Sequence, residues 1–167
     1  MPATPGLGRL GAAPSRGRHG GAIAIRRTLS RVDDAARTGG SGYSGTPLSR
    51  KLGIKPGHRV VVSRAPDGFA LDGVRTVTRV SGTADVLLEF HTRRAELARR
   101  LPKLRAAMDP AAGLWIAWPK RTAKVDTDLT EDVVRELAYA NRLVDNKVCA
   151  IDETWSGLRL VIRLADR

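Results

Sequence analysis

Three short segments of the chain hold side chains able to bind or polarise a small molecule. Asp67 and Phe69 occupy the first, Trp118 and Lys120 the second, and Asp152, Glu153 and Trp155 the third. Indole rings stack on flat groups, an ammonium supplies a point charge, and carboxylates accept hydrogen bonds, so the set suits a polar, partly flat ligand or a partner's side chain. In an enzyme, Trp118 and Trp155 would shape a pocket while Asp152 or Lys120 positions substrate by electrostatics. The competing explanation is structural: the two indoles plug the end of a sheet, and Asp152 caps a turn.

Other chemistries have less support. His19, His58 and His91 stand far apart, without the paired Cys or carboxylate spacing of a zinc site, so no metal is expected. There is neither a G-x-S-x-G elbow nor a P-loop, and Cys149, inside an apolar run, reads as a small buried hydrophobe. Gly40, Gly42 and Gly45 match the dinucleotide fingerprint by letter. The residues before them are polar, however, and the fingerprint needs a strand feeding its tight turn.

The candidates need elements to carry them, and from Tyr43 onward strand and helix signals alternate, the grammar of an α/β sandwich. Thr46-Pro47 opens a short helix that Gly53 ends. Arg59 to Ser63 reads as a first strand and Val74 to Val80 as a second, less apolar one near an edge. Asp85 to Phe90 and Leu114 to Trp118 are nearly continuous apolar runs, which suit parallel strands covered on both faces. Between them Leu97, Leu101, Leu104 and Met108 form the stripe of a helix lying on the sheet, which Pro102 is expected to bend. Asp128 and Glu131 read as the cap and capping-box partner of the next helix, with Val133, Leu137 and Ala140 on its apolar face.

Lys147 to Ile151 and Leu158 to Leu164 flank a polar turn too short for anything but an antiparallel pair. The expected fold is therefore a mostly parallel, Rossmann-like α/β sheet closed by a C-terminal antiparallel hairpin. That finish is the one found in methyltransferases that use S-adenosylmethionine, and the order of the later elements resembles their second half. Ligands in such sheets lie beyond the carboxyl ends of the strands, where the three candidate segments should converge. Where a methyltransferase has its glycine-rich loop, this chain has Ser63-Arg64-Ala65-Pro66-Asp67-Gly68. No cofactor is expected on that ground; S-adenosylmethionine belongs to the enzyme alternative.

Composition bounds the remaining classes. The chain has 167 residues, one Cys, 29 Lys and Arg, and 17 Asp and Glu, for a net charge of +12. A lone Cys forms no internal disulfide, and no apolar run approaches the length of a bilayer span, so a cytoplasmic domain without membrane attachment is expected. The positive charge invites a nucleic-acid reading, in which basic side chains displace counterions from phosphates. Arg exceeds Lys by 23 to 6 alongside abundant Ala and Gly, as a G+C-rich coding sequence produces without selection for binding. Residues 1–42 hold nine of the 17 Gly, seven Arg and no aromatic residue, and are expected to be a disordered extension of a single domain over residues 43–167.

Within that domain, Tyr43-Ser44-Gly45-Thr46-Pro47-Leu48, Lys51-Leu52-Gly53-Ile54, Trp118-Pro119-Lys120, Asp128-Leu129-Thr130-Glu131-Asp132 and Val144 to Cys149 running into Asp152-Glu153-Thr154-Trp155-Ser156-Gly157-Leu158-Arg159 are distinctive. Together they resemble a mainly actinobacterial family catalogued as a domain of unknown function. The resemblance covers about residues 43–167 and implies no activity. The reading is a small methyltransferase-like α/β domain that binds a polar ligand or a protein and acts as a binding or regulatory module. The alternatives are a divergent S-adenosylmethionine-dependent methyltransferase and a nucleic-acid accessory protein using the Arg-rich extension. Val32 is compatible with a GTG initiator, which offers the alternative that part of this extension is not translated; N-terminal sequencing that finds Met1 contradicts that alternative.

Overall fold

The computed structural model describes residues 45–167. The expected extension over residues 1–42, and Gly40 and Gly42 of the glycine fingerprint, lie outside them. The described residues form one six-stranded sheet: β1 (Val60–Ser63), β2 (Thr76–Val77), β3 (Ala84–Phe90), β4 (Met108–Pro119), β5 (Leu143–Ala150) and β6 (Trp155–Ile162). Their spatial order is β2-β1-β3-β4-β6-β5. The first four strands are parallel, β6 runs against both β4 and β5, and β5 therefore points the same way as the parallel set. This is the expected mostly parallel Rossmann-like sheet with its antiparallel finish.

Alternation along the strands decides what each face carries. Val61, Leu87, Leu114, Ile116, Leu158 and Leu160 point to one face, which α2 (Arg94–Ala106) covers with Leu97, Leu101 and Leu104, and α3 (Glu131–Ala140) with Val134 and Ala138. Val60, Val62, Leu88, Phe90, Trp115 and Ala117 point to the other face. Among the described residues no full-length helix lies there. The four-residue α1 (Leu48–Lys51) and the connection from β1 to β2 close it, using Leu48, Leu52, Phe69, Leu71 and Val74.

Several boundaries differ from the sequence reading, each for a local reason. The second strand has two residues instead of seven, because it forms the sheet's edge and both residues are exposed. Met108 opens β4 instead of ending the helix, since the chain reverses at Ala107 and Met108 pairs with Ala84. Asp128 does not cap α3. Thr130 does, its hydroxyl accepting from the Val133 amide at 3.3 Å, while Asp128 reaches across to accept from the Arg94 amide at the start of α2, 2.6 Å away. Glu131 closes no capping box but pairs with Arg135 one turn on.

Trp115, fully buried in β4, ties the thin face together by donating from Nε1 to the Leu52 carbonyl, 3.0 Å away. Trp115→Phe removes that donor and leaves a buried acceptor unpaired, as well as leaving a small void. The expected loss is about 2–4 kcal/mol in urea denaturation; a loss below ~0.5 kcal/mol would show that α1 is not anchored this way.

Candidate functional site

The carboxyl ends of the parallel strands gather the candidate segments, but the sheet divides them between its faces. Trp118 pairs in register with Ser156, and Pro119 with Trp155, so neighbouring positions at this rim point in opposite directions. Trp118 faces the α3 side. With Lys120, Arg121, Val125, Thr127 and Leu129 it lines a groove of ≈ 440 Å³. Trp155 faces the other side, where it packs edge-on to Phe90, ring centroids 5.1 Å apart, and Phe69 packs edge-on to the same ring at 4.9 Å.

The other candidates serve the turn itself. Asp152 Oδ1 accepts from the amides of Thr154 and Trp155, each at 2.7 Å, which makes its carboxylate a turn-former. Lys120 braces that turn by donating from Nζ to the Asp152 carbonyl at 2.6 Å and from its amide to the Thr154 carbonyl at 2.8 Å. Lys120 and Trp155 thus belong to one rim. Asp67 and Glu153 are exposed, and neither lines a cleft with the others.

The structure adds a group that the apolar look of the third strand concealed. Glu89 and His91 lie at the end of β3, almost completely buried, and Ser63 ends β1 beside them. Register places Ser63 directly across from Glu89, and the serine hydroxyl donates to Glu89 Oε2. From α2, Arg100 Nε donates to Glu89 Oε1 at 2.7 Å. Burial alone would push the Glu89 carboxyl up, but the contacts and charges of His91 and Arg100 outweigh it and hold the carboxyl below its ordinary value. The arrangement is not that of an activated nucleophile, because the serine proton is directed to a carboxylate instead of an imidazole.

His91 is the unusual member. Its side chain has no solvent exposure, Nε2 lies 3.7 Å from Glu89 Oε1, and neither ring nitrogen makes a hydrogen bond. Nε2 is turned towards the Glu89 carboxylate, the contact that helps to lower Glu89, while Nδ1 has no hydrogen-bond partner among the described residues. The residue lies beneath a cleft of ≈ 390 Å³ lined by Arg64, Phe90, His91, Thr92, Glu96 and Trp155, but its ring is sealed from that space. Arg64 is the first residue beyond β1, with φ 56°, a left-handed conformation costly for any side chain other than glycine. Its guanidinium pairs with Glu96 of α2.

A nucleoside cofactor in such a sheet ordinarily rests on a glycine loop between the first strand and a following helix. Here residues 64–75 contain no helix, and Gly68 and Gly73 serve tight turns with φ 77° and 69°. The side chains of Arg64 and Phe69 occupy this region instead, so the usual backbone cradle is not reproduced. Among the described residues no cluster of His, Cys, Asp or Glu could hold a metal ion, and no helix is long and apolar enough to cross a membrane. Cys149 is half-buried against the thin face, and burial pushes its thiol up, as an unreactive packing residue requires.

Sequence reasoning missed Glu89, His91 and Arg64. The available signal was a carboxylate inside a run otherwise able to bury on both faces. Because the folded-state value of Glu89 is depressed, its pairing stabilises the fold above the unfolded value of about 4.3 and is lost as pH falls through the folded one. Glu89→Gln should therefore cost about 3 kcal/mol at pH 7, since it leaves Arg100 without its buried counter-charge. The gap from the parent should narrow towards pH 3 in chemical denaturation, and a gap independent of pH would contradict the assignment.

No protein-family model matches the chain, and neither does any curated protein. Solved structures do. A magnesium protoporphyrin IX methyltransferase from Synechocystis PCC 6803 with bound SAM is similar over 53% of this chain and 45% of its own, at 12% identity and TM-score 0.42. LepI in complex with SAM is similar over 70% of this chain and 39% of its own, at 15% identity and TM-score 0.48. A putative methyltransferase from Thermoplasma acidophilum is similar over 63% and 57% respectively, at 10% identity and TM-score 0.39. The chain spans less than half the length of the first two.

Proposed function

We propose that this domain binds a small molecule at the carboxyl rim of its sheet, in the cleft walled by Phe90, His91 and Trp155, and acts as a binding or regulatory module. The cleft itself carries the proposal: Arg64, Phe90 and Trp155 line it at the carboxyl rim, directly above the buried Glu89–His91 pair, so a cation and two aromatic rings converge on one space. The aromatic walls supply a surface for a flat moiety. Membership of the mainly actinobacterial family and a cytoplasmic location are part of the same reading.

A second reading is favoured by one specific observation. The strand order β2-β1-β3-β4-β6-β5, with β6 alone reversed, is the pattern of a class I methyltransferase sheet, which makes a divergent S-adenosylmethionine-dependent enzyme the main alternative. In that case the cofactor is held by side chains at the end of β1 instead of by a glycine cradle.

Fragment titration followed by NMR of the labelled domain separates these readings from each other and from a passive rim. Binding in the cleft is expected to concentrate shifts on Phe90, His91, Thr92 and the Trp155 indole. Shifts concentrated on Trp118 and its groove would contradict the proposal. Saturable binding of S-adenosylmethionine together with methyl transfer to an acceptor would establish the second reading in its place.

A further inference from the structure

We infer that the rim cleft selects an anionic ligand, a planar carboxylate or phosphate ester, and that Arg64 supplies the charge recognition normally provided by a glycine loop. The inference rests on the reading of the cleft as a binding site and names the chemistry it takes.

Position is the first argument. Arg64 stands immediately after β1, where Rossmann-like sheets present backbone amides to an anionic group. The backbone cradle is missing, yet a guanidinium occupies its place, and that group offers five N–H donors in a planar fork suited to carboxylates and phosphates. Arg64 adopts φ 56° there. A glycine would hold the turn without penalty, so the strained conformation is tolerated together with a side chain that the turn does not need.

Charge is the second. Arg64 borders both the main cleft and an adjoining hollow of ≈ 210 Å³ lined by Glu96, Arg99 and Arg100. In this neighbourhood Arg100 is committed to Glu89, and Arg64 to Glu96. Arg99, exposed on α2, adds a cation for which no ion pair with a described residue is formed, so the rim carries one more positive than negative group. The Arg64–Glu96 pair is itself about half exposed, with side-chain exposures of 46% and 39%, and is readily exchanged for a ligand's oxygens. Phe90 and Trp155 then take the ligand's ring, above the buried His91.

Two probe pairs that differ in charge test this directly: nicotinate against nicotinamide for a carboxylate, and adenosine monophosphate against adenosine for a phosphate ester. Binding is read from the His91 and Trp155 ring signals. In at least one pair the charged member is expected to bind about tenfold more tightly than its neutral partner, the worth of one charge-assisted contact. Arg64→Gly should reduce that preference to within about twofold while leaving the unfolding midpoint unchanged, because glycine suits the turn and an exposed ion pair contributes little. Equal binding within both pairs, or a preference that survives Arg64→Gly, overturns anion selection while leaving the cleft as a site. If none of the four probes moves either ring signal at millimolar concentration, anion selection is also overturned, and the fragment titration decides whether the cleft reading falls with it.

Discussion

A carboxylate placed inside a sheet has to be neutralised where it stands, and much of the carboxyl rim is arranged around that requirement. Glu89 lies at the end of β3 with essentially no exposure. Its charge is met by the Arg100 guanidinium on the covering helix and by His91, and the Ser63 hydroxyl on the neighbouring strand adds a hydrogen bond. One side chain therefore links β1, β3 and α2 at the edge where ligands of such sheets lie. Removing Arg100 strands a buried charge, at a cost of several kcal/mol, so the geometry at this edge is strongly specified. His91 sits one alternation further on, buried by the same packing, with Nε2 turned towards the Glu89 carboxylate and Nδ1 without a hydrogen bond.

The asymmetry of the sheet's two faces leaves open space beside this polar corner. Two helices with regular apolar stripes cover one face, and a short helix and a long connection cover the other. On the thin side the residues after β1 fold back, so that Phe69 meets Phe90 and Phe90 meets Trp155. That aromatic row closes most of the space beyond the strands and leaves a cleft next to His91. The sheet thus has a Rossmann-like, mostly parallel arrangement, while its first loop presents side chains in place of a glycine backbone. Strand order alone carries no activity, and the chemistry follows from what stands at the rim.

The fold was legible in the sequence because its signals are local and redundant. The apolar runs around Leu87 and Ile116, the Leu97–Leu101–Leu104 stripe and the polar turn after Ile151 each specify an element, and together they specify the architecture. Boundaries that depend on distant partners were not legible: Asp128 caps α2 across 34 residues, which no window of sequence reveals. The rim was only partly legible. Trp118 and Trp155 were placed at the correct edge, but their separation onto opposite faces follows from the β4–β6 register, which sequence periodicity does not fix. Glu89 was concealed by its apolar neighbours, and its significance depends on Arg100 arriving from a separate element.

The account rests on the cleft beside Trp155 being a place where a ligand settles, above the buried Glu89–His91 pair. A crystal structure of the free domain at a resolution that orders solvent tests this most directly. It should show ordered water or a bound molecule within the cleft, against Arg64 and Trp155. A cleft closed by Trp155 packing against Arg64 and Thr92, with no room for solvent, would contradict it.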